Sequence, residues 1–123
     1  MGIKYCLDTY ALIEITQANP KFAFLFKENV IIPSTTLAEF YGVIVRNKGK
    51  DEANLWTDKL SGMATGIPLA TMLHAQAFRF MNKAKNISFF DGVGYCYAEE
   101  NNLLFVTGDR EFKGMKGVKF ITK

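Results

Sequence analysis

Short apolar runs typical of β-strands alternate along this chain with longer segments that have helical periodicity. The strand-like runs are IKYCLD, NVIIP, GIPL, LLFVT and VKFIT. The helical segments are DTYALIEI, KFAFLFKE, TTLAEFYGVIVRN, DEANLWTDKLSGM, LATMLHAQAFRFMNKAK and the stretch from Ser88 to about Asn101. This alternation predicts an α/β fold, a three-layer α/β/α sandwich with a mostly parallel central sheet. A chain of 123 residues without repeats or linkers predicts one domain, residues 1–123.

Local patterns indicate how some of these segments begin and which way they face. Asn19 followed by Pro20 is typical of a helix start. The helix after Ser34 carries an apolar stripe made of Leu37, Phe40, Tyr41, Ile44 and Val45. The segment 69–85 carries a second stripe made of Leu73, Ala77, Phe80 and Ala84. Such spacing is typical of amphipathic helices.

Four carboxylates stand where an apolar segment meets a turn or a helix start. They are Asp8, Glu39, Asp91 and Asp109. Asp8 and Asp109 follow strands, and ligands bind beyond the carboxyl ends of parallel strands. Glu39 and Asp91 are expected in the first turns of helices that can begin near the same edge. Four neighbouring carboxylates would repel one another unless a shared divalent cation kept them ionised, which indicates metal-dependent phosphoryl chemistry.

Each of these carboxylates also has a purely structural interpretation. Glu39 and Asp91 each stand three residues after a Thr or a Ser, which is the capping-box pattern of a helix start. Asp8 and Asp109 are candidates for N-caps of the segments that follow them. The pattern alone leaves capping and metal binding open for all four.

The segments that carry these acids resemble the four acidic motifs of PIN-domain ribonucleases, in order and in approximate spacing. They read LDTYALIE, PSTTLAEF, ISFFDGVGYCYAEENN and LLFVTGDREF. The length is similar to that of VapC-like toxins of prokaryotic toxin–antitoxin pairs. The resemblance implies that the catalytic, metal-binding residues are Asp8, Glu39, Asp91 and Asp109. It also implies that Thr107 orients the last acid. Thr9 is a candidate for a similar part near Asp8, with a plain helix-start role as the alternative.

The resemblance further implies a cytoplasmic endoribonuclease that uses Mg²⁺ or Mn²⁺ and leaves a 5′-phosphate and a 3′-hydroxyl. Asp8, Asp91 and Asp109 are the preferred direct ligands, and Glu39 would bind a second ion or orient the attacking water. The implied partners are an RNA substrate, an antitoxin that covers the acidic cleft and a second copy of the chain in a homodimer. The alternatives are a PIN-fold RNA-processing factor, a non-catalytic RNA-binding module, and a phosphatase-like enzyme. The last of these lacks the second Asp expected after Asp8.

Two glycines depart from the richer aliphatic pattern expected after Asp91. Gly92 and Gly94 each cost about 1 kcal/mol inside a helix. One hypothesis is that Gly94 leaves room for metal-bound water, and the alternative is that both glycines allow close packing.

Composition excludes several other classes of function. His74 is the only histidine, so a two-histidine acid–base ribonuclease is excluded. Cys6 and Cys96 form no zinc-binding pattern and are expected to be buried free thiols. Neither a membrane-spanning apolar stretch nor a secretory signal is recognisable, which favours a soluble protein without membrane association. The net charge of +3 permits nucleic-acid binding without requiring it. Basic residues concentrate at the C-terminus as Arg110, Lys113, Lys116, Lys119 and Lys123.

Overall fold

The computed structural model describes residues 4–123, and Ile3, which the sequence pattern places in the first strand, lies outside this range. Its strands are β1 Lys4–Leu7, β2 Asn29–Pro33, β3 Ala64–Thr65, β4 Leu104–Thr107 and β5 Val118–Phe120. They form one sheet in the order β3-β2-β1-β4-β5, and every pairing is parallel. The predicted parallel sheet is therefore confirmed.

Five α-helices cover the two faces of this sheet. They are α1 Thr9–Thr16, α2 Ser34–Lys48, α3 Lys50–Leu60, α4 Leu69–Met81 and α5 Phe89–Glu100. One apolar cluster joins α1, α2 and α3 to the sheet, and another joins α4 and α5 to its other face. Neighbouring residues of β4 alternate between them, with Phe105 in one cluster and Val106 in the other. This arrangement is the predicted α/β/α sandwich.

Three further segments of residues 4–123 form 3-10 helices, namely Pro20–Lys27, Ser61–Met63 and Arg110–Phe112. The Asn19 side chain caps the first of them by accepting a hydrogen bond from the Lys21 N–H at 3.0 Å, so the predicted start is correct and the predicted helix type is not. The predicted strand GIPL is also wrong. The strand is Ala64–Thr65, and residues 66–68 connect it to α4, with Pro68 directly before the helix.

The apolar stripe predicted on α4 faces outward. Leu73 is 61% exposed and Phe80 is 69% exposed, while Ala84 lies beyond the end of the helix at Met81. The buried side of α4 consists of the small residues Thr71 and Ala75, which pack against α5. Both sides of α4 are apolar, so periodicity does not reveal which side is buried, and close helix packing selects the small residues.

The apolar stripe predicted on α2 agrees with the structure except at Val45, whereas Phe26, expected in the core, is 72% exposed. On α2, Leu37, Phe40 and Ile44 are buried and Val45 is exposed. Both cysteines are buried free thiols, as expected, and burial raises the pKa of Cys96 to about 12. None of the helices in residues 4–123 has the length and apolar character needed to cross a membrane.

Candidate active site

The four predicted carboxylates line one open cleft at the carboxyl edge of the sheet. The cavity measures about 730 Å³ and contains all of Asp8, Glu39, Asp91 and Asp109. Asp8 directly follows β1 and Asp109 follows β4 after one intervening residue, and these strands are neighbours in the sheet. The helix after β1 covers one face and α5, which precedes β4, covers the other, so the cleft lies where ligands bind in open parallel sheets. The sequence prediction that the four acids converge agrees with this geometry.

Asp8 is the most deeply buried of the four, with 2% of its surface exposed. Its Oδ1 accepts a hydrogen bond from the Ala11 N–H at 2.9 Å and thereby caps α1. Burial raises the pKa of Asp8 well above its ordinary range, and the charge of Asp91 adds to this effect. The hydrogen bonds from Thr107 and from the Ala11 backbone oppose the rise only in part. Burial and the neighbouring charge therefore both disfavour the ionised form of Asp8 unless a cation offsets them.

Asp91 lies in the first turn of α5, where its backbone N–H donates a hydrogen bond to the Ser88 hydroxyl at 3.1 Å. Burial raises the pKa of Asp91 to about 7, and the charges of Glu39 and Asp109 contribute next. Repulsion from the neighbouring carboxylates therefore adds to burial in disfavouring the ionised form of Asp91 unless a cation offsets it.

Thr107 holds the two strand-end acids in place. It is fully buried, its hydroxyl accepts a hydrogen bond from the Asp109 N–H at 3.0 Å, and the same hydroxyl hydrogen-bonds the Asp8 carboxyl. Asp109 in turn accepts a hydrogen bond from the Glu111 N–H at 3.0 Å, which caps the following 3-10 helix. Thr107 therefore orients the segment that carries Asp109, as the sequence implied.

Glu39 does not cap a helix, so the capping-box interpretation of this residue is wrong. Helix α2 begins at Ser34 directly after Pro33, and no side chain caps it. Glu39 lies in the second turn, where its carboxylate accepts a hydrogen bond from the Thr9 hydroxyl. Thr9 thus holds Glu39, whereas the sequence suggested a role near Asp8.

The two acids at the strand ends, Asp8 and Asp109, each cap the helix that follows and also line the cleft. Asp8 and Asp109 each use one oxygen to accept a backbone N–H. That bond fixes the side-chain rotamer while the residue still lines the cleft. The capping interpretation is therefore confirmed at these two positions, and metal binding by the same residues stays a prediction.

The cleft also contains residues that the sequence analysis missed. Glu14 is 5% exposed, lines the cleft and accepts a hydrogen bond from the Asn19 amide at 2.9 Å. Its signal was available, because it is a carboxylate within the apolar helix TYALIEI. Arg110 and Lys123 add positive charge to the wall. Lys123 gave no local signal, because it reaches the cleft only through the return of the C-terminal segment.

Two glycines near the cleft are explained by close packing. A Cβ atom on Gly108 would lie 2.2 Å from Cε1 of Tyr10 and 2.6 Å from the Ile121 carbonyl oxygen. A Cβ atom on Gly94 would lie 2.8 Å from Cε1 of Phe105, in the interior. Gly94 therefore packs against β4, and the hypothesis that it makes room for metal-bound water is wrong.

Protein cations do not neutralise the acids of the cleft. Within residues 4–123, the ion pairs are those of His74 with Glu99 and Glu100. A set of oxygen ligands without a paired cation fits Mg²⁺ or Mn²⁺ in its chemistry. Across the same residues, no three His, Cys, Asp or Glu side chains are arranged as a ready-made metal site. Mg²⁺ is usually held by one or two carboxylates and keeps several water ligands.

The sequence matches the PIN domain family over residues 5–118. Among solved structures, VapBC2 from Rickettsia felis bound to a promoter DNA fragment has a TM-score of 0.78 at 17% identity, covering 98% of this chain and 100% of that chain. DNA-bound VapBC from Salmonella typhimurium has a TM-score of 0.76 at 18% identity, covering 98% of each chain. VapC20 from Mycobacterium tuberculosis, described as a Sarcin-Ricin loop cleaving toxin, has a TM-score of 0.71 at 14% identity, covering 81% of this chain and 85% of that chain.

At these identities the solved structures establish the fold alone, and it is the fold of VapC-type proteins. No curated protein sequence matches this chain. The family match nevertheless spans nearly all of the sequence, so the resemblance inferred from the four acidic motifs is confirmed. The chain belongs to the PIN domain family.

Proposed function

We propose that this protein is a metal-dependent endoribonuclease that hydrolyses RNA phosphodiester bonds in the acidic cleft. The observation that carries the proposal is the convergence of Asp8, Glu39, Asp91 and Asp109 in one cleft without a paired protein cation. Arg110 and Lys123 on the same wall are suited to contact the backbone of a polyanionic substrate. The relative from Mycobacterium tuberculosis, whose described activity is cleavage of an RNA loop, supports RNA as the substrate.

A Mg²⁺ or Mn²⁺ ion held by these carboxylates would supply Lewis-acid activation of the scissile phosphate and of the attacking water. Asp8, Asp91 and Asp109 are the proposed ligands, because burial and mutual repulsion make their shared negative charge unfavourable without a cation. Thr107 fixes Asp8 and Asp109 relative to each other. Glu39, held by the Thr9 hydroxyl, is positioned to orient the attacking water.

We propose further that the protein is the toxin of a toxin–antitoxin pair. Several structural relatives are toxin–antitoxin complexes, including those from Klebsiella pneumoniae and Haemophilus influenzae. A cleft with uncompensated carboxylates would accept a basic side chain of a protein partner, which would block the site. The second candidate is an RNA-processing factor with the same chemistry and no antitoxin. Inhibition of cleavage by the product of a neighbouring short gene would favour the toxin.

A homodimer is proposed on the exposed apolar side of α4. This face contains Leu69, Leu73, Phe80 and Met81, which are 61–80% exposed. A second copy related by a two-fold axis would cover this apolar face in both chains. Leu73→Glu is expected to sediment as a monomer. The control variant Leu55→Glu, at another exposed leucine, is expected to sediment as the wild type does.

The nuclease proposal is tested with single-stranded RNA, in Mg²⁺ and in excess chelator. The wild type is expected to cleave only with Mg²⁺. Asp8→Asn is expected to remain folded and to lose cleavage, while the exposed acid variant Asp58→Asn retains it. Hydrolysis of a small phosphoester without any RNA cleavage would instead favour a phosphatase. Wild-type activity of Asp8→Asn would show that the site is assigned wrongly.

A further inference from the structure

A second, smaller cavity opens beside the acidic cleft. It measures about 360 Å³ and is lined by Arg110, Lys113, Phe120 and Thr122. Arg110 lines both cavities, so the two are adjacent and an extended ligand in the cleft could reach the smaller one. The volume is within the range of about 300–1,000 Å³ that small-molecule sites occupy. The cavity is therefore large enough for one unit of an extended ligand.

Phe120 is an aromatic residue outside the protein interior. It lies on β5 at the edge of the sheet, where it pairs with Thr107, and it is half-buried. In residues 4–123 it belongs to neither of the two apolar clusters. Its ring instead meets the Lys113 ammonium group, which lies 5.9 Å from the ring centroid. An aromatic face of this kind is available for stacking on a nucleic-acid base.

No carboxylate pairs with the positive charges of the small cavity within residues 4–123. Arg110 and Lys113 are exposed, and the ion pairs formed by residues 4–123 involve neither of them. A guanidinium group recognises phosphate through two parallel hydrogen bonds, and an ammonium group adds a second charge. Cations and an aromatic ring around one cavity match the two parts of a nucleotide, its phosphate and its base.

We propose that this cavity binds the nucleotide adjacent to the scissile phosphate, with the base stacked on Phe120 and its phosphate held by Arg110 and Lys113. This subsite rests on the proposed ribonuclease function, because it assumes that the scissile phosphate lies in the acidic cleft. The expected ligand is single-stranded RNA, since a base in a duplex already stacks on its neighbours and cannot turn its face to Phe120.

The test compares variants of the subsite in cleavage of single-stranded RNA with Mg²⁺. Phe120→Leu keeps an apolar side chain and is expected to raise KM about 10-fold with little change in kcat, because stacking contributes to binding. Arg110→Gln is expected to raise KM and also to weaken its salt dependence, with the logarithmic slope reduced by about 0.7 for one lost contact to a single strand. Photocrosslinking of RNA that contains a photoreactive uridine is expected to label the peptide that carries Phe120.

Matched controls lie away from the cleft and from α4, namely Phe26, which is 72% exposed, and Lys59, which lies 4.8 Å from the ring centroid of Trp56. Phe26→Leu and Lys59→Gln are expected to leave KM, the salt slope and the crosslink unchanged. If the wild type cleaves RNA while Phe120→Leu and Arg110→Gln behave as these controls do, the subsite is refuted and the ribonuclease function stands. If the wild type cleaves no RNA with Mg²⁺, the proposed function fails and the subsite fails with it.

Discussion

Replacing Asp91 by Asn is predicted to stabilise the metal-free protein while it abolishes cleavage. The folded protein raises the pKa of Asp91 from the ordinary value of 3.8 to about 7, mainly through burial and then through Glu39 and Asp109. The folded state binds the Asp91 proton more tightly than the unfolded state does. The stability that this proton contributes is therefore fully present below about pH 4 and is lost as the pH rises to about 7. Above this window the ionised Asp91 opposes folding.

The size of the effect follows from the same shift. A difference of about 3 pKa units between 3.8 and about 7 corresponds to about 4 kcal/mol at most. The variant also loses a favourable charge at the N-terminus of α5, worth about 0.3–1 kcal/mol. Structural relaxation reduces the gain further. We expect Asp91→Asn to raise the free energy of unfolding by about 1–3 kcal/mol at pH 8, or Tm by about 4–12 °C.

The assay is denaturant unfolding at pH 4 and pH 8 in the presence of chelator, followed by thermal unfolding with added Mg²⁺. The gain of Asp91→Asn is expected to shrink toward zero at pH 4, where the wild-type carboxyl is protonated. Mg²⁺ is expected to raise the Tm of the wild type and to have a smaller effect on the variant, because an ion that binds only the folded state stabilises it. The surface control Asp58→Asn should change stability by less than about 0.5 kcal/mol. A variant that is less stable than the wild type at pH 8 would show that Asp91 is chiefly a structural cap.

Three further predictions concern the residues that shape the cleft. Gly108→Ala is expected to lower the free energy of unfolding by at least about 2 kcal/mol, because the new methyl group meets both the Tyr10 ring and a backbone oxygen, and denaturant unfolding measures this. Thr9→Val is expected to lower kcat about 10-fold with KM nearly unchanged, because Glu39 loses its donor, and Thr9→Ser should restore the rate if the hydroxyl is responsible. Thr107→Val is expected to lower the free energy of unfolding by about 1 kcal/mol or more, because the part-buried Asp109 N–H loses its acceptor, and an unchanged denaturation midpoint would contradict this.

The sequence predicts the location of the acids better than their partners. Asp8 and Asp109 follow strands, and strand ends converge in any parallel sheet, so their proximity depends only on the topology. The partner of Thr9 depends on how α1 packs against α2, and no local pattern contains that information. The same limit explains why Lys123 was not identified as a cleft residue.

The orientation of α4 shows a different limit of sequence patterns. A stripe of large apolar residues normally indicates the buried face, but here Leu73 and Phe80 are exposed and the small Ala75 is buried. Gly92 lies on the side of α5 that faces α4, and a Cβ atom added to it would lie 3.7 Å from the Ala75 methyl group. Two helices can approach closely only where both have small residues. A hydrophobic period shows which residues are apolar but not how large they are, so it does not identify this contact.

The central claim is that the four acids form a site for a divalent cation, and titration of the protein with Mn²⁺ under calorimetry tests it most directly. The wild type and the exposed control Asp58→Asn are expected to bind Mn²⁺ with equal affinity. Asp8→Asn, with circular dichroism confirming its fold, is expected to bind at least about 10-fold more weakly. Equal binding of Mn²⁺ by folded Asp8→Asn and by the wild type would contradict the account.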